Sequence, residues 1–428
     1  MRSLVDVVSG GQHWLNLSAP NRHHSQGMTT LEVWPLWSPS LCPKGTDLMH
    51  ATDMPTVSRQ VSRFAFLDAL RGMAAISIVG FHLYQYEPSP ENSQWFMPFL
   101  IEQCLIWGWI GVQFLLVISG FVIAYSFRDG RVTSGSVANF LIRRVVRLSP
   151  PYLVTLLLIL LLHGIAVSLG WFPSPLDEPP SWRRVASHLI YAQDLLGFSN
   201  LSAGLWTVCI EIQFYVLFGV GLLVAQRVWP VVTNGQAAAS PRVLVSLFSP
   251  LAVMSLFVWC NQPALEHYVF YFFGLFFMGM VTWWVLDGRI LHGWYWATVG
   301  FFVARLLWQW KSEVMIGLIA SLTIFSVGRS GHLHDWLNFR WLQYLGKISY
   351  SLYLIHYAVS HVVTQVGWAL LNGSPSPPLA AACLAIAMAS SIVAAHFLYV
   401  WVEAPSMRWA ARLKPATSGF DARKEQAA

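Results

Sequence analysis

The sequence predicts an all-α fold, a polytopic transmembrane bundle of about ten helices, and three observations carry that reading. Of 428 residues, 55% are hydrophobic and 11% charged, with 22 Trp and 26 Phe, whereas a soluble domain carries roughly 25% charged residues. So few charges cannot clothe a water-exposed surface of this size, and lipid must cover most of the outside. Apolar stretches long enough to cross a bilayer, about 17–25 residues each, follow in quick succession from residue 66 to residue 402. The basic residues gather in short clusters between them, the pattern of cytoplasmic loops. The net charge of +6 is therefore read as topology, and no nucleic-acid partner is expected.

Taken in order, the helices are expected near 66–86, 104–127, 150–170, 201–225, 243–259, 267–286, 291–308, 313–327, 343–371 and 379–402. The fifth and eighth are short, the ninth is over-long, and Gly288 and Gly293 part the sixth from the seventh only tersely. Residues 182–198 read as a partial or re-entrant segment. Residues 1–62, interrupted by Pro20, Pro35, Pro39, Pro43 and Pro55, lack the charged-then-apolar start of a cleavable signal and read as an N-terminal cytoplasmic tail. Met28, Met49 and Met54 leave a start site further downstream open. Residues 63–410 form the expected membrane domain, and 411–428 a C-terminal cytoplasmic tail. With the N-terminus inside, inner segments hold 21 Lys and Arg, against Arg183, Arg184 and Lys311 outside, so both termini are expected in the cytoplasm. The five Cys have no close pair and no metal-ligand spacing, so neither a disulfide framework nor a metal site is expected.

An ionisable side chain at the centre of a membrane helix costs about 2.5–3.5 kcal/mol, so each one is first a functional candidate. Those inside the expected spans are Asp68, Arg71, His82, His163, Glu211, Arg305, His356 and His396. Arg71 and His82 are eleven residues apart, three turns plus roughly 20°, so they share one helix stripe about 16 Å long. The structural alternative pairs Arg71 with Asp68 at i−3 and makes His82 a satisfied interior histidine.

Arg143, Arg144 and Arg147 stand immediately before the Ser-Pro-Pro-Tyr that opens the third span. Three guanidiniums there suit a phosphate-bearing ligand entering from the cytosol, although the positive-inside bias also places arginines at that boundary. Glu211 and Tyr215 share a face at i,i+4, with His82 at comparable depth as a candidate partner for the carboxylate. A structural inter-helix hydrogen bond explains Glu211 equally well. Arg305, near Trp308 and Trp310, reads as snorkelling to the outer interface, and His356 reads first as structural. A phosphate clamp on one side and a histidine base further out suit acyl transfer to a hydroxyl. Proton-coupled transport would bury the same residue types.

Phe66-Leu-Asp-Ala-Leu-Arg71-Gly-Met-Ala-Ala, with Phe81-His82 beyond it, resembles the first-helix signature of the acyltransferase-3 family, bacterial integral membrane acyltransferases that modify surface glycans. Gly111-Val-Gln-Phe-Leu-Leu-Val-Ile-Ser119-Gly120-Phe121 is similar to the family's second-helix pattern, and Arg144-Val-Val-Arg147 to its Arg-x-x-Arg element. Trp206 to Tyr215, Leu345 to His356 and Glu403-Ala-Pro405 resemble three later blocks in the family's order. The resemblance covers the whole membrane part.

It implies an acyl-CoA donor, usually acetyl-CoA, used as a substrate with no permanently bound cofactor. It also implies a carbohydrate or lipid-linked glycan acceptor, and a multi-pass place in the bacterial inner membrane. His82 and Glu211 become the catalytic candidates, and Arg71, Arg144 and Arg147, with neighbouring Arg143, the donor-binding ones. Asp68, Ser119, Trp206, Tyr215, Tyr353 and His356 become supporting residues. Ala69, Ile118 and Cys209 depart from the family's usual Gly, Leu and Ser. Larger members add an extracytoplasmic hydrolase-like domain, and none is legible here. The competing functions are a transporter or flippase of a lipid-linked sugar, for which no inverted-repeat symmetry is legible, and a scaffolding or signalling role without chemistry.

Overall fold

Helix α1 (Ala65–Gln85) carries Asp68, Arg71 and His82 on one continuous rod. It belongs to a computed structural model that describes residues 64–85, 99–128, 133–170, 174–176, 178–228, 231–233, 236–238, 240–371 and 376–413. The expected N-terminal tail and most of the C-terminal one lie outside the described residues. After α1 come α2 (Phe99–Ile106) and α3 (Gly111–Ser126), joined by a 3-10 turn into one span. Then follow α4 (Ser134–Leu169), the short α5 (Trp182–Leu189) and α6 (Leu205–Val228). The second half holds α7 (Pro241–Phe257), α8 (Val269–Leu286), α9 (His292–Trp308), α10 (Ser312–Arg329), α11 (Arg340–Leu370) and α12 (Pro377–Leu398). A π-turn (Tyr399–Glu403) runs from α12 into α13 (Ala404–Arg412).

All ten expected spans are helical, and among the described residues eight helical stretches are long and apolar enough to cross a membrane. The two outside that set have simple reasons. Helix α9 has 17 residues, and α11 carries a stripe of buried polar residues, including Gln343, Ser349, Ser351, His356 and Ser360. Between α6 and α7 lies a small antiparallel hairpin, β1 (Val231–Thr233) with β2 (Gln236–Ala238), in which Val231 pairs with Ala238. The sequence reading missed it, although Asn234-Gly235 is the dipeptide favoured in two-residue hairpins.

Helix α4 departs most from expectation. It begins sixteen residues earlier than read, capped by Thr133, whose side chain and that of Ser136 satisfy each other's backbone N–H. The three arginines therefore lie inside a 36-residue helix, and Pro150 and Pro151 lie in its interior. A proline pair usually signals a helix start, which explains the misreading. Pro151 cannot donate to the carbonyl of Arg147 four residues back, and the Ser406 hydroxyl donates to that carbonyl instead, at 3.0 Å.

The segment expected to be partial is α5 followed by turns. Arg184 donates to the carbonyls of Ser199 and Asn200, each at 2.9 Å. His188 lies buried with its Nδ1 2.7 Å from the Arg184 carbonyl, and its Nε2 accepts from the Leu201 amide at 3.1 Å. This knot ties down the approach to α6. Gly288, at φ +68°, makes the tight left-handed turn between α8 and α9.

The densest packing joins α1 to α11, α11 to α12, and α3 to α8. Helices α1 and α11 run in the same direction, with Gly72 against Gly346 and His82 against His356. A Cβ on Gly346 would stand 2.1 Å from the Asp68 carbonyl oxygen, so the backbones touch only because both residues are glycine. Gly120 and Gly279 serve the α3–α8 crossing in the same way, their added Cβ atoms falling 2.0 Å from the carbonyl oxygens of Phe276 and Val117.

Candidate active site

Beside these crossings lies a cavity of about 140 Å³, lined by α1, α3, α4, α6, α8 and α11. At one end stand Arg71 of α1, Arg144 and Arg147 of α4, Ser119 of α3, and Glu211 and Tyr215 of α6. Ser349, Tyr350 and Tyr353 of α11 and Thr207 of α6 continue the wall, and between them it is apolar, with Val112, Leu115, Val208 and Phe276. Arg71 stands 4.0 Å from Asp68 on the preceding turn, both side chains partly exposed. The structural pairing weighed for Arg71 is therefore present, and the same side chain lines the cavity.

Arg144 donates to the Ser126 hydroxyl at 3.1 Å and lies over the rings of Phe140 and Tyr215, 5.3 and 5.2 Å from their centroids. Aromatic faces hold a cation in place without neutralising it. The Arg147 side chain makes no hydrogen bond or ion pair among the described residues, and its Nε is buried without a partner. A buried guanidinium donor left unsatisfied is costly, and an anion in the cavity would remove that cost. Arg143 does not line the cavity. It stands on the same helix, half-buried, with its own Nε unpartnered, so of the expected cluster of Arg143, Arg144 and Arg147 the last two line the cavity, together with Arg71.

Glu211 is not paired with His82, the partner the sequence suggested. One of its carboxylate oxygens accepts from the Ser119 hydroxyl at 3.1 Å and, in a closer contact, from the Tyr215 hydroxyl. The structural inter-helix bond and the cavity position thus belong to the same residue. Ser119 faces the cavity while Gly120 beside it admits the backbone of α8, so the Ser-Gly pair has two separate tasks. Trp206 faces away and packs on Phe272, with ring centroids 5.9 Å apart.

At the other end, the Thr207 and Tyr353 hydroxyls are 2.7 Å apart. One turn further along α11, and outside the cavity lining, His356 Nε2 lies 2.7 Å from His82 Nδ1. His356 is fully buried. The two elements the sequence read as far apart on α1, Arg71 and His82, are therefore joined along α11 by Tyr350, Tyr353 and His356.

The π-turn and α13 brace this arrangement. The buried carboxylate of Glu403 accepts from the Ser351 amide at 3.2 Å and the Ser351 hydroxyl at 2.5 Å, while Ser406 holds the proline-freed carbonyl of Arg147. The Tyr350 hydroxyl donates to the Leu148 carbonyl at 2.9 Å. Helices α4 and α11, which carry the arginines and the tyrosines, are thus fastened to each other and to the Glu403 motif.

Thr207, Ser349 and Tyr350 were not singled out as site residues. The signal for the last two was the spacing of Ser349, Tyr350, Tyr353 and His356, which places them along one helix face. Arg305 is a correction. Rather than reaching the interface it is fully buried, donating to the Leu256 carbonyl and to Asn261 Oδ1, both at 2.6 Å, and closely to the Gln309 carbonyl. It satisfies the free carbonyls where α7 and α9 end.

Residues 64–396 match the sequence profile of a family described as an acyltransferase domain. The chain is 24% identical over 406 residues to the acyltransferase MdmB of Streptomyces mycarofaciens, covering 86% of this chain and 98% of that one. It is 24% identical over 330 residues to nodulation protein 10 of Rhizobium leguminosarum bv. viciae, covering 70% and 84% respectively. Putative O-acetyltransferases of Staphylococcus aureus align at 25% identity over 361 residues, which is 73% of this chain and 53% of theirs. No solved structure matches.

Proposed function

Because the chain belongs to the acyltransferase-3 family, we propose that it moves an acyl group, acetyl in the first instance, from cytoplasmic acyl-CoA to a hydroxyl of a cell-envelope or exported glycan. The observation that carries this reading is the cavity in which Arg71, Arg144 and Arg147 meet, with the His82–His356 pair beyond its lining, one helical turn past Tyr353 on α11. Arg71, Arg144 and Arg147 bind the CoA phosphates, for which guanidiniums are the best-matched side chains. The apolar stretch between Val112 and Phe276 takes the slender arm that carries the thioester. The names of the Staphylococcus aureus relatives support acetyl as the group transferred.

In the reaction, His82 takes the proton of the acceptor hydroxyl as that oxygen attacks the thioester carbonyl carbon. The carbon–sulfur bond breaks, and the departing thiolate recovers the proton from His82, so the enzyme ends as it began. Glu211, held by Ser119 and Tyr215, balances the arginine charges and keeps the basic end polar. The arginine end faces the cytoplasm of the bacterial inner membrane and the histidine end the outer half, in keeping with the distribution of Lys and Arg. Membranes from cells expressing the wild-type chain transfer label from radiolabelled acetyl-CoA to envelope material, and His82→Ala membranes with equal protein lose about 10²–10⁴-fold of that rate. Equal labelling by the two would refute the assignment.

A further inference from the structure

We propose that His356 is a positioning residue that fixes the tautomer of His82 and so makes Nε2 of His82 the basic nitrogen. The inference rests on the reading of His82 as the base. The two carbonyl oxygens beside His356 Nδ1 decide the matter. That nitrogen lies 2.8 Å from the Tyr353 carbonyl oxygen and 3.1 Å from the Leu352 carbonyl oxygen. A carbonyl oxygen can only accept, so Nδ1 carries the hydrogen, and in a neutral imidazole the lone pair is then on Nε2. That lone pair faces His82 Nδ1 at 2.7 Å. A hydrogen bond forms there only if His82 Nδ1 carries the hydrogen, which leaves the lone pair of His82 on Nε2.

The backbone of α11 thus orients His82 through the His356 ring. The arrangement is well held. The two rings are nearly parallel, 12° apart, and the Tyr357 ring stands edge-on to His82 at 6.5 Å. Around them α11 is fixed by the Tyr353–Thr207 contact and by Glu403 on Ser351. When His82 Nε2 takes the acceptor proton, the Nδ1–H bond to His356 becomes charge-assisted and stronger. His356 itself neither gains nor loses a proton.

The test compares substitutions at position 356 that differ in reach. In His356→Gln the side-chain amide oxygen falls near the position of Nε2 and can accept from His82 Nδ1. In His356→Asn the amide stops near Nδ1 and cannot reach, and His356→Ala offers nothing. CoA released from acetyl-CoA is followed in membrane vesicles from the native host, which contain their own acceptor, with melting temperatures measured on the purified proteins. The expected result is a fall in kcat of about 10²–10⁴-fold for His356→Ala and His356→Asn, with KM for acetyl-CoA little changed, and recovery to within about tenfold of wild type for His356→Gln. Equal losses for Gln and Asn in variants that melt like wild type would overturn the proposal, as would wild-type turnover by His356→Ala. His82→Ala, run alongside, separates the two claims: if it is inactive while His356→Ala is not, the base stands and the positioning role falls.

Discussion

Arg147 is the side chain whose surroundings ask most plainly for a ligand. It has a buried, unpartnered Nε in a cavity that also holds Arg71 and Arg144, and a hydrogen bond to a charged group is worth about 1.5–3 kcal/mol. Arg147→Ala is therefore expected to raise KM for acetyl-CoA by roughly 10–100-fold while kcat changes much less, as measured by steady-state CoA release. A loss confined to kcat would contradict the donor-binding role. Titration provides a second check, on the knot before α6. Burial, opposed by the hydrogen bond with the Arg184 carbonyl, pushes the His188 pKa from 6.5 down to about 4. A depressed folded-state pKa means that the contribution of His188 to stability is complete above its unfolded value and is lost as pH falls from 6.5 toward 4. The melting temperature of the wild type should fall over that window by more than that of His188→Asn, and parallel curves would remove His188 as the cause.

The helices bring these residues together through a few positions where the chain gives up a side chain or a hydrogen bond. At Gly72 and Gly346 the backbones of α1 and α11 meet, and Gly346→Leu is expected to cost at least about 1–3 kcal/mol from overpacking, read as a lower melting temperature together with lost activity. At Pro151 the chain gives up a donor and Ser406 replaces it. Ser406→Ala leaves the Arg147 carbonyl without that bond, so a stability loss of about 1–3 kcal/mol and a raised KM for acetyl-CoA are expected. Unchanged stability and KM would mean that the π-turn and α13 do not support the site. The existence and order of the spans were legible because hydrophobic length alone marks a membrane helix. The start of α4 was not, because a helix-interior proline pair looks like a helix start until the group that satisfies the freed carbonyl is seen, and that group lies more than 250 residues away. Arg71 and Glu211 were legible as candidates because each is ionisable within an apolar span, Arg144 and Arg147 because they cluster at a span boundary, and Tyr215 because it stands at i+4 from Glu211, and all five line the cavity. The pairing of Glu211 with Ser119 rather than His82 was not, since helix rotation and depth are set by packing between helices and leave no mark on spacing.

At the scale of the whole molecule, the account needs a bilayer around the bundle, donor entry at the arginine end and an acceptor at the histidine end. A fluorescent reporter at the C-terminus should report the cytoplasm, as the distribution of basic residues requires, and an external location would invert the route of the donor. The central claim is that this bundle is a transferase acting through His82. It is tested most directly by mass spectrometry of surface glycans and lipid-linked sugars from cells carrying the wild type, a deletion, or His82→Ala at matched expression. The account predicts that one acyl mass is present in the wild type and missing from both of the others, and that mass identifies the group transferred and the glycan that receives it. An acyl mass that disappears in the deletion but persists with His82→Ala would contradict the account.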